Sequence, residues 1–364
     1  MPVLAELPQN ARIAVVRLRS LGDTLLATPA LAAVKRWRPD LRLAALVEPA
    51  WAPVLEGNPD VERIIAVPPT PAGRARALAS LRRFAPHLAV NLHGGSTATW
   101  LTALSGARWR AAFAGQRHAW AHNLLAPPEP PPPGRPRWHT VEHVASLWRF
   151  LGLPPAELGP LRIFPAAAAR AAVRRRLAAG GLAGPFAFIN AVPRSPTMQW
   201  PAERYAELLS WLTREFGLGA VFARPPAAPA GIEERIVAAL PPGRGVLLNG
   251  TDVRELIALE AESSLVLGSD GGPIHVAAAL AKPLVVLFGP TDAVVWRPWQ
   301  AVAQVVQNAW PCNPCPADRC RAYPRPECIL SITDTQVRAA VLAAVTLSRH
   351  DELGHARPAG IPLS

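Results

Sequence analysis

The stretch Leu267–Asp292, LGSDGGPIHVAAALAKPLVVLFGPTD, decides the fold. An apolar run closes at Gly268, Ser-Asp-Gly-Gly-Pro follows, and an alanine-rich segment leads into a second apolar run at 284–288. Pro273 suits the first turn of a helix, where its missing N–H leaves no bond unmade. Strand, glycine turn, helix and strand in so short a span describe a βα unit with buried strands. Free amides and the helix dipole at that turn favour an anion. Gly271 and Gly272 let the backbone approach such a ligand closely, and His275 stands in the first turn as a donor. Asp270, at the strand end, is placed to accept from sugar hydroxyls. An ordinary turn with a capping Asp is the plainer reading of the same residues.

Outward from this unit the pattern repeats. Strands are expected at 186–190, 218–223, 246–248 and 264–268, with helices at 201–216, 231–240, 253–262 and 273–281 between and after them. The first half reads the same way, with strands at 12–18, 42–47, 62–67, 87–92 and 108–113 and helices at 23–37, 72–83, 97–105 and 140–152. Between the halves, PPEPPPPGRPR at 127–137 excludes regular helix and central strand. The expected organisation is a first doubly wound α/β domain over 1–165, a second over 166–347, and a loose tail over 348–364. Two such domains facing across a cleft would bind ligands at the carboxyl ends of their strands.

The 364 residues are half hydrophobic, and no uninterrupted apolar run is long enough to span a membrane. The first twenty residues carry no secretory pattern, so a cytoplasmic address is expected. A net charge of +12 rests almost wholly on arginine, since Lys35 and Lys282 are the two lysines. It points to an anionic partner, either a membrane surface or a phosphorylated substrate. Nucleic acid is not expected, because zinc-finger spacing, RNP signatures and basic helices with interleaved aromatics are all missing.

The beginning of the chain adds a second constellation. RIAVVRLRSLGDTLLATPAL at 12–31 runs from strand through a short loop into a helix with Gly22-Asp23 at its start. Asp23 reads as an N-terminal cap or as a general base. The four cysteines are clustered as Cys312-x2-Cys315-x4-Cys320-x7-Cys328, compact enough for one tetrahedral zinc. Reduced thiols fit equally, and a cytosolic address argues against stable disulfides.

Taken together, LRSLGDTLLATPAL at 18–31 and SDGGPIHVAAALAKPLVVLFGPTD at 269–292 resemble glycosyltransferase family 9, which contains the lipopolysaccharide heptosyltransferases. Weaker matches are NLHGG at 91–95, SGARWRAAF at 105–113, HTVEH at 139–143 and QWPAERYAELL at 199–209. The resemblance spans about residues 12–345. It implies a GT-B fold and inverting, metal-independent transfer from ADP-heptose or a related donor to an anionic glycolipid acceptor, at the cytoplasmic face of the inner membrane. No cofactor is implied for catalysis, and any zinc at the cysteines would be structural. The family's base falls on Asp23. Asp270 would hold the donor sugar, while Gly271, Gly272 and His275 would hold the diphosphate. Arg110 and His93 lie in matching segments and are the acceptor candidates, with His139 open between a cleft and a capping role.

The chain also departs from the pattern. Met198 stands where relatives carry a phosphate-binding lysine, and Gly271 stands where they carry Ser or Thr. ARPPAAPAG at 223–231 replaces a glycine-rich turn. Arg194 is the expected substitute for the lysine. The departures motivate a second reading, a non-catalytic sugar-nucleotide-binding homologue.

Overall fold

The computed structural model describes residues 2–352 except 132, 183, 227, 316 and 317. Its chain divides into two compact units: 1–166 with Val294–Trp299, and 167–293 with the residues from Gln300 onward. The sequence alone places the boundary between 165 and 166 and assigns no part of 294–299 to the first unit.

In the first unit, strands β1 (Arg12–Val16), β2 (Arg42–Val47), β3 (Arg63–Ala66), β4 (Leu88–Asn91), β5 (Trp109–Phe113) and β6 (Leu124–Ala126) form one sheet. Its order is β3-β2-β1-β4-β5-β6, and every pairing is parallel. Helices α1 (Val3–Glu6), α2 (Leu21–Leu26), α3 (Thr28–Trp37), α4 (Pro71–Phe84), α5 (Ser96–Ala103) and α6 (Thr140–Phe150) cover it. One face packs Ile13, Val15, Leu43 and Val90 beneath α1, α3 and α6. The other packs Ala14, Val16, Leu46 and Ala89 beneath α4 and α5. A strand covered on both sides has no solvent face, which is why β1 and β2 read as unbroken apolar runs.

The second unit repeats this plan. Its helices are α7 (Ala167–Ala179), α8 (Ala202–Phe216), α9 (Glu233–Ala238), α10 (Val253–Glu262), α11 (Gly272–Ala279), α12 (Ala293–Trp296), α13 (Glu327–Leu330) and α14 (Asp334–Glu352), except that most of α12 belongs with the first unit. The strands are β7 (Phe186–Asn190), β8 (Gly219–Arg224), β9 (Gly245–Asn249), β10 (Leu265–Ser269), β11 (Leu284–Leu287) and β12 (Ala303–Val306). The order is β12-β11-β10-β7-β8-β9, again all parallel. Counted within each unit, both sheets have the doubly wound order 3-2-1-4-5-6. The winding reverses between β1 and β4 in the first sheet and between β7 and β10 in the second.

Four expectations need correction. The helix expected over 23–37 is two helices, because Pro29 in the first turn of α3 cannot continue the ladder of α2. Helices α1, α7, α12, α13 and α14 and the edge strands β6 and β12 are additional elements. The tail expected from 348 is helical through Glu352, while 353–364 lie outside the described residues. Arg297 and Val295 are tied into the first unit, their carbonyls bonded to His139 Nε2 (2.8 Å) and Thr140 Oγ1 (3.0 Å). Trp299 Nε1 donates to Gly159 O at 3.1 Å.

Glu260 of α10 is fully buried, and neither carboxyl oxygen has a partner among the described residues. Burial pushes its pKa well up, with Lys282 acting weakly the other way. The Lys282 ammonium donates instead to Ser263 O at 2.8 Å. A carboxyl raised in the folded chain stabilises it most below the unfolded value of about 4.3, and that contribution is lost as pH rises. Glu260→Gln should therefore raise the melting temperature at pH 8, with the gain shrinking towards pH 4. Equal melting of the two proteins across that range would refute the buried neutral carboxyl.

Candidate active site

The first site lies at the carboxyl ends of β1 and β4, where the winding of the first sheet reverses. Chain leaving β1 passes Arg17 and Ser20 into α2, whose first turn carries Asp23. The Asp23 carboxylate accepts from Ser20 N–H (3.3 Å) and Ser20 O–H (3.1 Å), closing a capping box. Its other oxygen takes a hydrogen bond from the Arg17 guanidinium, which also donates to Leu92 O. Three donors fix the orientation of this carboxylate, while its side chain keeps 26 % of its surface open. The N-cap itself is Ser20, and Asp23 serves the cap from the third helical position.

Across from it, β4 ends in buried Asn91, whose side-chain oxygen accepts from His93 N–H and Gly94 N–H, each at 3.0 Å. That turn holds His93 half-buried and within electrostatic range of Asp23. Burial is the main cause lowering the His93 pKa, and Arg17 and Arg19 lower it further, so the imidazole is neutral at pH 7. Its ring N–H meets the Arg19 carbonyl, which leaves the other nitrogen of the neutral imidazole as an acceptor.

Arg110 is placed apart from this group, at the second position of β5. Its side chain donates to Ala121 O and Ala107 O, each at 3.1 Å, so it latches two loops. His139 caps α6, its Nδ1 accepting from Val141 N–H at 3.2 Å.

The second site lies at the carboxyl ends of β7 and β10, the matching position of the second sheet. Here the two strands come unusually close: a Cβ on Gly268 would stand 2.2 Å from Asn190 O. Asn190 Nδ2 donates to Ser269 O at 2.8 Å, and Ser269 Oγ to Met198 O at 3.1 Å. These bonds set the strand end from which Asp270 and α11 depart. Gly271 is the N-cap, extended and without a side-chain cap, and a Cβ there would meet protein only at ordinary contact distances. Its amide is bonded to no described residue, so an anion can take it. His275, in the helix that Gly272 begins, is 3 % exposed.

Asp270 is buried, and burial pushes its pKa up to about 6, opposed by the Thr291 hydroxyl and Arg194. Arg194 is exposed in the loop after β7, close enough to act on Asp270. Met198 is 2 % exposed and belongs to the core, so the cationic group beside this strand end is Arg194. Asp270, Gly271, Gly272, His275 and Arg194 are therefore brought together within the second unit. Sequence reading missed Arg17 and Asn190. The only signal for either is its place at or just beyond the end of the first strand of a sheet.

The cysteines do not form a metal cage, one of the readings that their spacing leaves open. All four are free thiols, and among the described residues no group of three or more His, Cys, Asp or Glu is disposed to hold a metal ion. Cys328 is buried in α13, which raises its pKa, with Cys312 and Cys320 adding weakly. Cys315 is held by its own N–H bonding to Pro290 O at 2.7 Å.

Known proteins carry the same plan. Residues 74–324 match the model of glycosyltransferase family 9 (heptosyltransferase). The chain is 26 % identical over 293 residues to lipopolysaccharide heptosyltransferase 3 of Escherichia coli, covering 78 % of this chain and 84 % of that one. A family 9 glycosyltransferase of Veillonella parvula superposes with a TM-score of 0.77 at 21 % identity, over 93 % of this chain and 98 % of that one. The ADP-heptose lipopolysaccharide heptosyltransferase II of E. coli gives 0.75 at 20 %, over 93 % and 99 %. The fold is thus GT-B, built from two Rossmann-like domains. With its family model matched over more than half of its length, the chain belongs to glycosyltransferase family 9, the heptosyltransferase family.

Proposed function

We propose that this glycosyltransferase moves a heptose or related sugar from an ADP-activated donor to a lipopolysaccharide-core or similar lipid-linked glycan, with inversion at the anomeric carbon. The observation that carries the reading is the Asp23 carboxylate, oriented by Arg17 and Ser20 yet open to solvent at the switch point of the first sheet. Asp23 takes the proton of the acceptor hydroxyl as its oxygen attacks the anomeric carbon. The bond to the diphosphate breaks on the opposite face, and the leaving group departs with the electron pair. Charge developing on it is stabilised by the Gly271 and Gly272 amides, the α11 dipole, His275 and Arg194, an oxyanion-hole role that needs no metal. Asp270 accepts from the donor sugar's hydroxyls, and His93 orients the acceptor.

The relative from Escherichia coli acts on lipopolysaccharide by name, which supports that acceptor class, and the reading places the reaction in the cytoplasm, peripherally at the inner membrane. Incubation with ADP-heptose and heptosylated core lipid should add one heptose to the lipid, seen by mass spectrometry. Calorimetric binding of ADP-heptose with no transfer to any core acceptor would replace this reading with that of a non-catalytic binder.

A further inference from the structure

From Arg63 to Pro128 the chain contains eight arginines and no Asp, Glu or Lys. These 66 residues carry a net +8 in a chain of +12. They fold as β3, α4, β4, α5, β5 and β6, and four of the eight arginines lie on α4, which packs with α5 on one face of the first sheet. Arg74, Arg76, Arg82 and Arg83 on α4 are all exposed, and none forms an ion pair with a described residue. A surface helix ordinarily intersperses acids with its bases, which gives pairing and avoids self-repulsion. Here that repulsion is left standing.

Apolar side chains adjoin the charge. Trp100 of α5 is 53 % exposed, Leu104 is 41 % exposed, and Trp120 is 71 % exposed. The two tryptophans meet edge to face, ring centroids 6.0 Å apart. Two hydrogen bonds make the surface continuous: Arg82 Nε donates to Leu104 O at 2.8 Å, and Ser96 Oγ bonds His118 Nε2 at 3.2 Å. Exposed Arg117 lies in the same loop as Trp120. A cavity of about 240 Å³ beside α4 is lined by Arg63, Arg76 and Ser80.

We infer that this face, formed by α4, the outer side of α5 and the Trp120 loop, docks on the surface of an anionic lipid bilayer. It extends the proposed transfer to a lipid-linked acceptor by naming the surface that meets the lipid. Indole rings settle at the headgroup level, with an apolar body and a polar N–H. Arginines beside them pair with lipid phosphates, and each basic group near an anionic leaflet is worth roughly a fivefold gain in partitioning. No helix among the described residues is long and apolar enough to cross a membrane, so docking of this kind leaves the chain on the surface.

Vesicles of phosphatidylcholine with phosphatidylglycerol should sediment the full chain, and vesicles of phosphatidylcholine alone should not. Added salt should release it. Arg74→Gln, Arg76→Gln, Arg82→Gln and Arg83→Gln combined should lose on the order of 600-fold in partitioning, and the four lysine replacements should restore most of it. Trp100→Phe with Trp120→Phe should abolish most of the fluorescence quenching by brominated lipid. The same number of exposed arginines removed from the second unit, at 174, 175, 214 and 235, should leave sedimentation unchanged. Sedimentation that ignores anionic lipid, or an equal loss in the second-unit variant, would overturn the inference. So would a four-arginine variant that binds vesicles normally but loses affinity for acceptor, which would make the face an acceptor subsite. The assay contains neither donor nor acceptor, so its failure leaves the transfer reaction untouched, and failure of transfer leaves vesicle binding to be read.

Discussion

Asp23→Asn should lower kcat by about 10³-fold, within the range of a lost general base, and leave donor affinity unchanged. Asparagine keeps an oxygen that can accept from the Ser20 N–H and O–H, so helix α2 stays capped, while the amide NH2 in place of the other oxygen cannot accept from Arg17. What it cannot do is take a proton from the acceptor hydroxyl. Arg17→Met tests the same site from the other side: the carboxylate remains, but the donor that fixes its orientation is gone. A fall of about tenfold to a hundredfold in kcat is expected there, since misplacement of a reacting group by about 1 Å costs on that order. Single-turnover rates with donor saturating, paired with calorimetric donor titration, separate the two terms. Full activity in Asp23→Asn would remove Asp23 as the base, and normal kcat in Arg17→Met would leave that arginine a structural part only.

Such a test is available because the strand-loop-helix units were legible locally. Phe186–Asn190, Leu265–Ser269 and Leu284–Leu287 are central parallel strands buried on both faces, so their apolar runs are unbroken. Leu124–Ala126 and Ala303–Val306 are edge strands of three and four residues, and pairing on one side only leaves so short a segment little apolar signal. Helix α7 was hidden by its composition: its alanines and arginines suit any exposed helix, and only Ala169, Val173 and Leu177 mark the buried stripe. For the candidate site, the places of Asp23, Asp270 and Gly271 could be read because each is fixed by its position in a single turn. Arg17 and Asn190 act through partners that folding brings to them, Leu92 and Ser269, which lie 75 and 79 residues away. For Arg110, register decides that its guanidinium meets the Ala107 and Ala121 carbonyls, which no local pattern announces.

The second large effect concerns Asp270, where binding and stability pull apart. Its pKa near 6 lies about two units above the ordinary aspartate value of 3.8, and the cause is burial. Folding therefore favours the protonated form: the stabilising contribution is complete below about pH 4, and rising pH removes it up to about 6. At pH 7 the ionised, buried carboxylate costs on the order of 3 kcal/mol. Asp270→Asn keeps the shape and removes the charge, so its melting temperature at pH 7 should rise by roughly 5–10 °C, with the difference vanishing towards pH 4. Transfer should move the opposite way. Hydrogen bonds from sugar hydroxyls to a charged acceptor are worth about 1.5–3 kcal/mol, so donor affinity should fall by about tenfold to a hundredfold. A strand end selected for stability alone would carry the asparagine. Retention of a buried acid there is explained by a ligand whose hydroxyls restore the solvation that folding removed, and bound donor should accordingly stabilise the natural protein more than the variant. Scanning calorimetry of both proteins at pH 4, 5.5 and 7, with and without ADP-heptose, reads each of these differences. Identical melting at pH 7 would mean that Asp270 carries no buried charge, and equal stabilisation of both by donor would mean that it does not hold the sugar.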